Sequence, residues 1–427
     1  MRKILTGFVS VAALVVVFAG VAPVWGATTV GAPITVGINP YGVAFTPDGR
    51  KAFVTNSADN TVSVITVATG TVGASIPVGS GPAGVAVTPD GTKAYVANSS
   101  SNTLSVITVA TGATGTPIPV GQRPDGVAIT PDGTKVFVAN NGAGTVSVIT
   151  IASGTVSATI AVGQRPSGVA ITPDGTKAYV ANGVDNTVSV IAVSSNTVSA
   201  LVSVGRGPTG VAVTPDGTKA YVTNGSDGTV SMITVANGSV SAPIPVGTYP
   251  LGVAVAPDGV LAYVTDGNTN TVSAITIASG AVGAPISTGI APFGVAVSPD
   301  GRRAYIANNG DTTVSVLNFS SPPVFTSGTP LNATAGTPYS FSVTSSGTAP
   351  ITYSVTAGTL PTGITLAAAS GILSGTPTAS GTFPVGITAT GPGGSTVANY
   401  ILTIAAAPLV APPVVESPKT HLPVVSG

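Results

Sequence analysis

Seven stretches spaced 42 residues apart align without a gap, beginning at Val36, Val78, Val120, Val162, Val204, Val246 and Thr288. The first reads VGINPYGVAFTPDGRKAFVTN, the fourth VGQRPSGVAITPDGTKAYVAN and the last TGIAPFGVAVSPDGRRAYIAN. A repeat of about 40–45 residues that holds several short strands is the arithmetic of a β-propeller, because each unit supplies one four-stranded sheet and buries it only against its neighbours. The period therefore predicts an all-β, seven-bladed propeller.

Each unit divides into strands by inspection. GVAVTP makes the first, KAYVAN the second, TVSVITVA the third and a run such as VSATIAV the fourth. Pro-Asp-Gly separates the first two in every unit, with Asp at 48, 90, 132, 174, 216, 258 and 300. Pro pre-sets φ, Asp bonds its own backbone and Gly takes the positive φ, so these Asp are turn residues first. The strands are apolar on both alternating faces, as expected when a blade lies on each side, which accounts for a mean hydropathy of +0.53. One aromatic recurs mid-strand, at Phe53, Tyr95, Phe137, Tyr179, Tyr221, Tyr263 and Tyr305, and is expected to pack between blades rather than to stack on a ligand.

The seventh unit runs through its third strand, TTVSVLNF, and reaches Pro322-Pro323 without a fourth. Val30 to Thr35, VGAPIT, repeats the fourth-strand segment VGAPIS of Val282 to Ser287. The N-terminal strand is thus expected to complete the last blade and close the ring.

The Pro-x-Gly-Val-Ala, Pro-Asp-Gly-Thr-Lys and Tyr-Val-Thr/Ala-Asn elements resemble the YVTN β-propeller repeat family of bacterial and archaeal cell-surface and surface-layer proteins, over Ala27 to Phe319. At the level of fold the repeats also resemble the seven-bladed lactonases and cofactor-bearing dehydrogenase propellers. The propeller is assigned to 27–321. After it, LPTGITL, GILSGTPT and GTFPVGITATGPGG resemble the Ig or cadherin-like repeats of bacterial surface proteins, and alternating strands with Gly, Pro and Ser turns predict a small β-sandwich over 322–406. Cadherin-like modules bind calcium through acidic side chains; no acidic residue lies between Pro322 and Val415, so no calcium site is expected here. Residues 407–427 read as a Pro-rich tail.

At the other end, Met1, Arg2 and Lys3 precede an apolar run from Ile4 to Ala22 and the small residues around Gly26. This is the pattern of a signal peptide over 1–26, with a retained membrane anchor as the alternative. No membrane span is expected after cleavage.

Composition removes many activities. Lys and Arg number 14, Asp and Glu 14, and charged residues make up 7% of the chain, so no nucleic-acid-binding surface is expected. There is no Cys, hence no thiolate nucleophile or thiolate-bound metal. The sole His, His421, and the sole Glu, Glu416, fall in the tail. General acid–base work would rest on Asp, Arg and Tyr alone, so no catalytic residue and no cofactor are assigned.

Function is expected where the units differ. The Gly-x-x-Pro-x-Gly loops carry Tyr41 in blade 1, Arg123 and Asp125 in blade 3, Arg165 in blade 4, Arg206 in blade 5, Tyr249 in blade 6 and Phe293 in blade 7. Blades 3 to 5 would form a basic arc and blades 6, 7 and 1 an aromatic one. Guanidinium groups fork onto carboxylate or phosphate and rings stack on apolar sugar faces; the alternative is a solvated edge beside a covered channel mouth. Asn56, Asn98, Asn140, Asn182, Asn224, Asp266 and Asn308 close the second strands and read as turn-formers. Asp266, Asn268 and Asn270 form a D-x-N-x-N fragment of a calcium loop, a weak metal candidate that lacks the following Gly and acidic ligand. Asp59, Asp185, Asp227 and Asp311 are expected as surface turn residues. The reading is an exported, extracellular or surface-associated propeller, non-catalytic and monomeric, that binds a cell-envelope polymer or surface protein on its variable rim. A lactonase-like hydrolase and a purely structural surface-layer component are the alternatives.

Overall fold

A computed structural model describes residues 26–408. The leader expected over 1–26 lies outside them except for Gly26, and the tail expected over 407–427 lies outside them from residue 409. Two compact units divide the chain at Phe319 and Ser320. Among the described residues all regular structure is strand, and no helix is long and apolar enough to cross a membrane.

The first unit is a seven-bladed β-propeller. Blade 3 shows the plan: Pro124–Ile129, Lys135–Asn140, Thr145–Thr150 and Thr155–Ala161 run antiparallel in sequence order. First strands contact the first strands of both neighbouring blades, from blade 7 back to blade 1, and so make the inner wall. A bulge after the leading Pro interrupts each first strand, between Pro124 and Val127 in blade 3.

That bulge explains the invariant Pro-x-Gly within this chain. A Cβ on Gly126 would stand 2.2 Å from the Ser167 carbonyl oxygen, one on Gly42 2.6 Å from that of Ala83, and one on Gly294 2.4 Å from that of Tyr41. Backbone meets backbone from blade to blade all round the ring, a distance only Gly permits.

Side chains add further links. Lys51, Lys135, Lys177 and Lys219 donate from Nζ to the carbonyls of Val109, Val193, Val235 and Ile277 in the next blade, and Arg303 of blade 7 donates to Val67 of blade 1. The recurring aromatics are buried and reach across: Tyr95 packs with Val136 and Val138, Tyr305 with Ala52 and Val54, and Tyr263 stacks on Phe319 with centroids 4.8 Å apart.

The outer strands are less uniform than the period implies. Blades 3 and 4 have seven-residue fourth strands, Thr155–Ala161 and Thr197–Ser203, whereas blades 2, 5 and 6 keep only Ile118–Pro119, Ile244–Pro245 and Ile286–Ser287. Pro117, Pro243 and Pro285 have no N–H to give to a ladder, which limits pairing there. In blade 7 the outer position is filled from the N-terminus: Gly26–Val30 and Ile34–Thr35 both pair with Thr313–Ser320, Ile34 opposite Val314 and Thr35 opposite Thr313. The ring closes as the VGAPIT match implies, with a break at residues 31–33.

The second unit is a small β-sandwich. Thr352–Gly358, Gly381–Gly391, Gly394–Ala405 and Ala333–Thr334 form one sheet, and Tyr339–Ser342, Ile372–Gly375 and Ile364–Leu366 the other. Val343, Tyr353, Leu373, Ile387 and Leu402 make its core.

Candidate functional site

On one rim of the propeller, the loops from fourth to first strand meet those from second to third and surround a cavity of about 550 Å³. Tyr41, Arg123, Asp125, Arg165, Tyr249 and Phe293 all line it, joined by Ser167, Asn141 and Asn309. A narrower space of about 170 Å³ is walled by the Gly and Val of the first strands, Gly42 and Val43 through Gly294 and Val295. Tyr41, Asp125, Ser167, Thr209, Leu251 and Phe293 line both spaces and so form the partition between them.

Two positions in each loop build the site. The residue before Pro is Asn39, Gly81, Arg123, Arg165, Gly207, Tyr249 or Ala291, and in all seven φ is positive, 50° at Arg123, 53° at Arg165 and 59° at Tyr249. Gly takes this conformation freely; a residue with a Cβ gives up about 1 kcal/mol or more. The backbone is held there in part by Asn side chains, as where Arg123 N–H donates to Asn102 Oδ1 at 2.8 Å. Three of the largest side chains of this rim thus stand where the fold itself would prefer glycine. The residue after Pro is Tyr41, Ala83, Asp125, Ser167, Thr209, Leu251 or Phe293, and all of these but Ala83 make the partition.

Arg206 does not join the others. It stands one residue earlier in its loop than Arg123 and Arg165, at the position of Gln122 and Gln164. Its Nε donates to Asp227 Oδ1 at 2.6 Å and its N–H to Oδ2 at 2.7 Å, an exposed pair outside the cavity lining. The expected three-arginine arc is therefore corrected to two, Arg123 and Arg165, whose guanidiniums make no hydrogen bond to the described residues.

Asp125 is the carboxylate at the centre. Tyr41 donates its hydroxyl to Oδ1 at 3.0 Å and Ser167 donates to Oδ2 at 2.7 Å. Burial pushes the Asp125 carboxyl above its ordinary value, opposed by these two bonds and by the Arg123 charge. Burial likewise lifts the Tyr41 phenol well above its ordinary value, with Asp125 adding to the effect. The Tyr41 ring stacks on Phe293 with centroids 3.8 Å apart and planes at 30°. Ser167, Asn141 and Asn309 escaped the sequence reading; the signal for Ser167 was its place directly after Pro, the same as that of Asp125.

The strand-end Asn residues, read as turn-formers, do open the loops to the third strands, as where the Asn140 carbonyl accepts the Ala143 and Gly144 N–H groups, but their side chains point inward. They are fully buried, and Asn56 Nδ2 donates to Thr61 Oγ1 and Ser63 Oγ, both at 3.0 Å, a pattern repeated in other blades. The amide N–H groups that knit second strand to third are satisfied by the blade itself, whereas the buried Oδ1 atoms of Asn98, Asn140, Asn182 and Asn224 have no hydrogen-bond partner among the described residues. Asp266 occupies the same slot, accepting from Ser273 Oγ at 2.7 Å, and burial raises its carboxyl. Asn270 uses Oδ1 on the Ala291 N–H at 2.8 Å, so Asp266 and Asn270 are each engaged within the fold rather than on a shared point. Asp59, Asp185, Asp227 and Asp311 do more than turn the chain: each accepts a backbone N–H from the facing loop, from Ile38, Gln164, Arg206 and Ile290.

The fold and rim define a seven-bladed β-propeller protein carrying an Ig-like domain. Residues 29–163 match the family model "Lactonase, 7-bladed beta-propeller", residues 99–248 "Choice-of-anchor I domain" and residues 322–405 "Putative Ig domain". Among solved structures the chain is similar to hydrazine synthase of Kuenenia stuttgartiensis, with 25% identity, 66% of this chain and 95% of that chain covered, and a TM-score of 0.60. It is also similar to a streptogramin B lyase structure, with 16% identity, 68% and 98% covered and a TM-score of 0.60, a likeness of fold alone. No curated protein matches the sequence. A propeller with choice-of-anchor and Ig-like matches has the makeup of a surface-associated protein.

Proposed function

We propose that this protein is exported and displayed at the cell surface or released, and binds an anionic component of the cell envelope in the rim cavity without transforming it. On this reading residues 1–26 are a leader that is removed, 27–321 the monomeric binding module, 322–406 a spacer and 407–427 a linker tail. The observation that carries it is the pair of Arg123 and Arg165 guanidiniums, unengaged by the described residues, in one cavity with the Tyr41–Phe293 stack and Tyr249. Cations held beside aromatic faces suit a ligand with both a charge and an apolar face.

The test is retention of envelope material on the immobilised protein beside Arg123→Gly/Arg165→Gly. Glycine already stands at these positions in blades 2 and 5, as Gly81 and Gly207, so the variant keeps the backbone the site requires. Material held by the parent and lost by the variant supports the reading; equal retention overturns it.

The lactonase match over 29–163 favours a second reading, hydrolysis of a cyclic ester. Asp125 is the one carboxylate among the described residues that lines the cavity, and its raised pKa is what a general base would need. Turnover of simple lactones that Asp125→Asn abolishes would establish this reading in place of the first.

A further inference from the structure

We infer that the outer strand of blade 4 is an interaction edge and that its partner is a second copy of this chain, whose own blade 4 strand pairs with it antiparallel. This goes beyond the rim reading and does not rest on it. Each ring is complete in one chain and folds and binds by itself; the edge joins rings already formed.

The outermost strand of a blade turns half of its backbone N–H and C=O groups away from the sheet, a template on which another strand can pair. The ladders show which residues these are. Val162 after the outer strand of blade 3 donates inward to the Gly144 carbonyl, Val204 after that of blade 4 donates to Asn186, and the equivalent residues of the other five blades do the same. Neighbouring residues of a strand direct these groups to opposite sides, so the residues one and three places earlier face outward.

Proline occupies those outward places in five blades. It stands at one of them in blades 1, 6 and 7, as Pro77, Pro285 and Pro33, and at both in blades 2 and 5, while the inward place between them is Ile or Val in all seven. A residue with no N–H, placed only where the N–H would face out, closes an edge to pairing. Blades 3 and 4 have Thr159 and Ala161, and Leu201 and Ser203, instead. Their outer strands, Thr155–Ala161 and Thr197–Ser203, are also the long ones, and among the described residues each pairs only with the third strand of its own blade.

The chemistry of the open edge fits its own copy. Edge strands are commonly kept apart by charge, and in an antiparallel pair related by a two-fold axis a charged residue would stand near its like. Neither strand carries one. Leu201 distinguishes blade 4: at 65% it is the most exposed large apolar side chain of the described ring. A two-fold axis beside it sets the two Leu201 side chains against each other and takes both out of water. Adjacent blades point one-seventh of a turn apart, less than the one-sixth that two equal discs need to touch a third side by side. A copy on blade 4 therefore shuts out another on blade 3 in the same plane, and association stops at a dimer.

Sedimentation equilibrium of the full chain, from micromolar to near-millimolar concentration, tests this. The parent should dimerise. Leu201→Pro/Ser203→Pro gives blade 4 the pattern that Pro117 and Pro119 give blade 2, and should raise the dissociation constant at least tenfold. Leu201→Lys, which leaves the backbone untouched and sets like charges face to face, should do the same, with part of the loss recovered at high salt. Thr159→Pro/Ala161→Pro in blade 3 should dimerise as the parent does. A parent that stays monomeric throughout the range overturns the inference, and so does a dimer that both blade 4 variants leave intact. Equal loss in the blade 3 variant overturns the assignment to blade 4, and growth beyond a dimer overturns the two-fold pairing.

Discussion

The hydroxyl of Tyr41 in blade 1 donates to the carboxylate of Asp125 in blade 3 at 3.0 Å, across 84 residues of sequence. It passes over blade 2, where the matching position is Ala83, small enough to leave the path open. Together with the Tyr41–Phe293 stack, this bond joins blades 7, 1 and 3 across the channel mouth, and it turns a row of loop residues into a partition.

Tyr41→Phe keeps the stack and removes the bond. One acceptor of a half-buried carboxylate is then unsatisfied, which should cost about 1 kcal/mol and lower the melting temperature by a few degrees. The Asp125 carboxyl, already raised by burial, should titrate at still higher pH, because a hydrogen bond that favours the ionised form is gone. Carbon-detected NMR titration of the Asp carboxyls reads this shift; an unmoved Asp125 would mean that the bond does not form in solution.

Asp266→Asn should stabilise the protein at neutral pH by about 1 kcal/mol. Burial raises this carboxyl against bonds from Ser273, Thr271 and the Gly247 backbone, while an unfolded Asp titrates near about 3.9. The folded state thus holds the proton to higher pH. The stability linked to that proton is fully present below about pH 3.9 and is lost as pH rises through the folded-state value. The asparagine that the other six blades carry has no such loss. Thermal melts should show the advantage of the variant at pH 7 shrinking as pH falls toward 4.

Arg206→Ala should leave ligand binding unchanged within about twofold, since its guanidinium is paired with Asp227 away from the cavity. Arg123→Gly/Arg165→Gly should abolish binding without lowering the melting temperature, because glycine relieves the positive φ at both sites. A binding defect in Arg206→Ala comparable to that of the double variant would contradict the placement of the site.

Gly126→Ala should destabilise by about 3 kcal/mol, as the new Cβ would need to displace the Ser167 carbonyl 2.2 Å away in the next blade. Gly154→Ala, at φ 65° but with nothing within 4 Å, should cost only about 1 kcal/mol. Denaturant unfolding of the two variants separates backbone crowding at the inner wall from local strain in an outer turn.

The 42-residue period, the Pro-Asp-Gly turns and the VGAPIT match made the ring and its closure readable from the residues alone, because each unit repeats the same local chemistry and each strand pairs with its neighbour in sequence. The loops that differ from unit to unit were legible as well, and six of the seven residues named in them line one cavity. The sequence alone did not show that Arg206 turns outward while Arg123 and Arg165 border the cavity. One step along the loop separates residues that line the cavity from one that pairs outside it, and the Asp227 carboxylate that holds Arg206 acts from a different loop. Nor did it show that the strand-end Asn residues are buried, or that Tyr41 and Asp125 meet. Those contacts join residues from separate blades or strands, and their partners become neighbours only when the ring closes and brings its loops to one mouth.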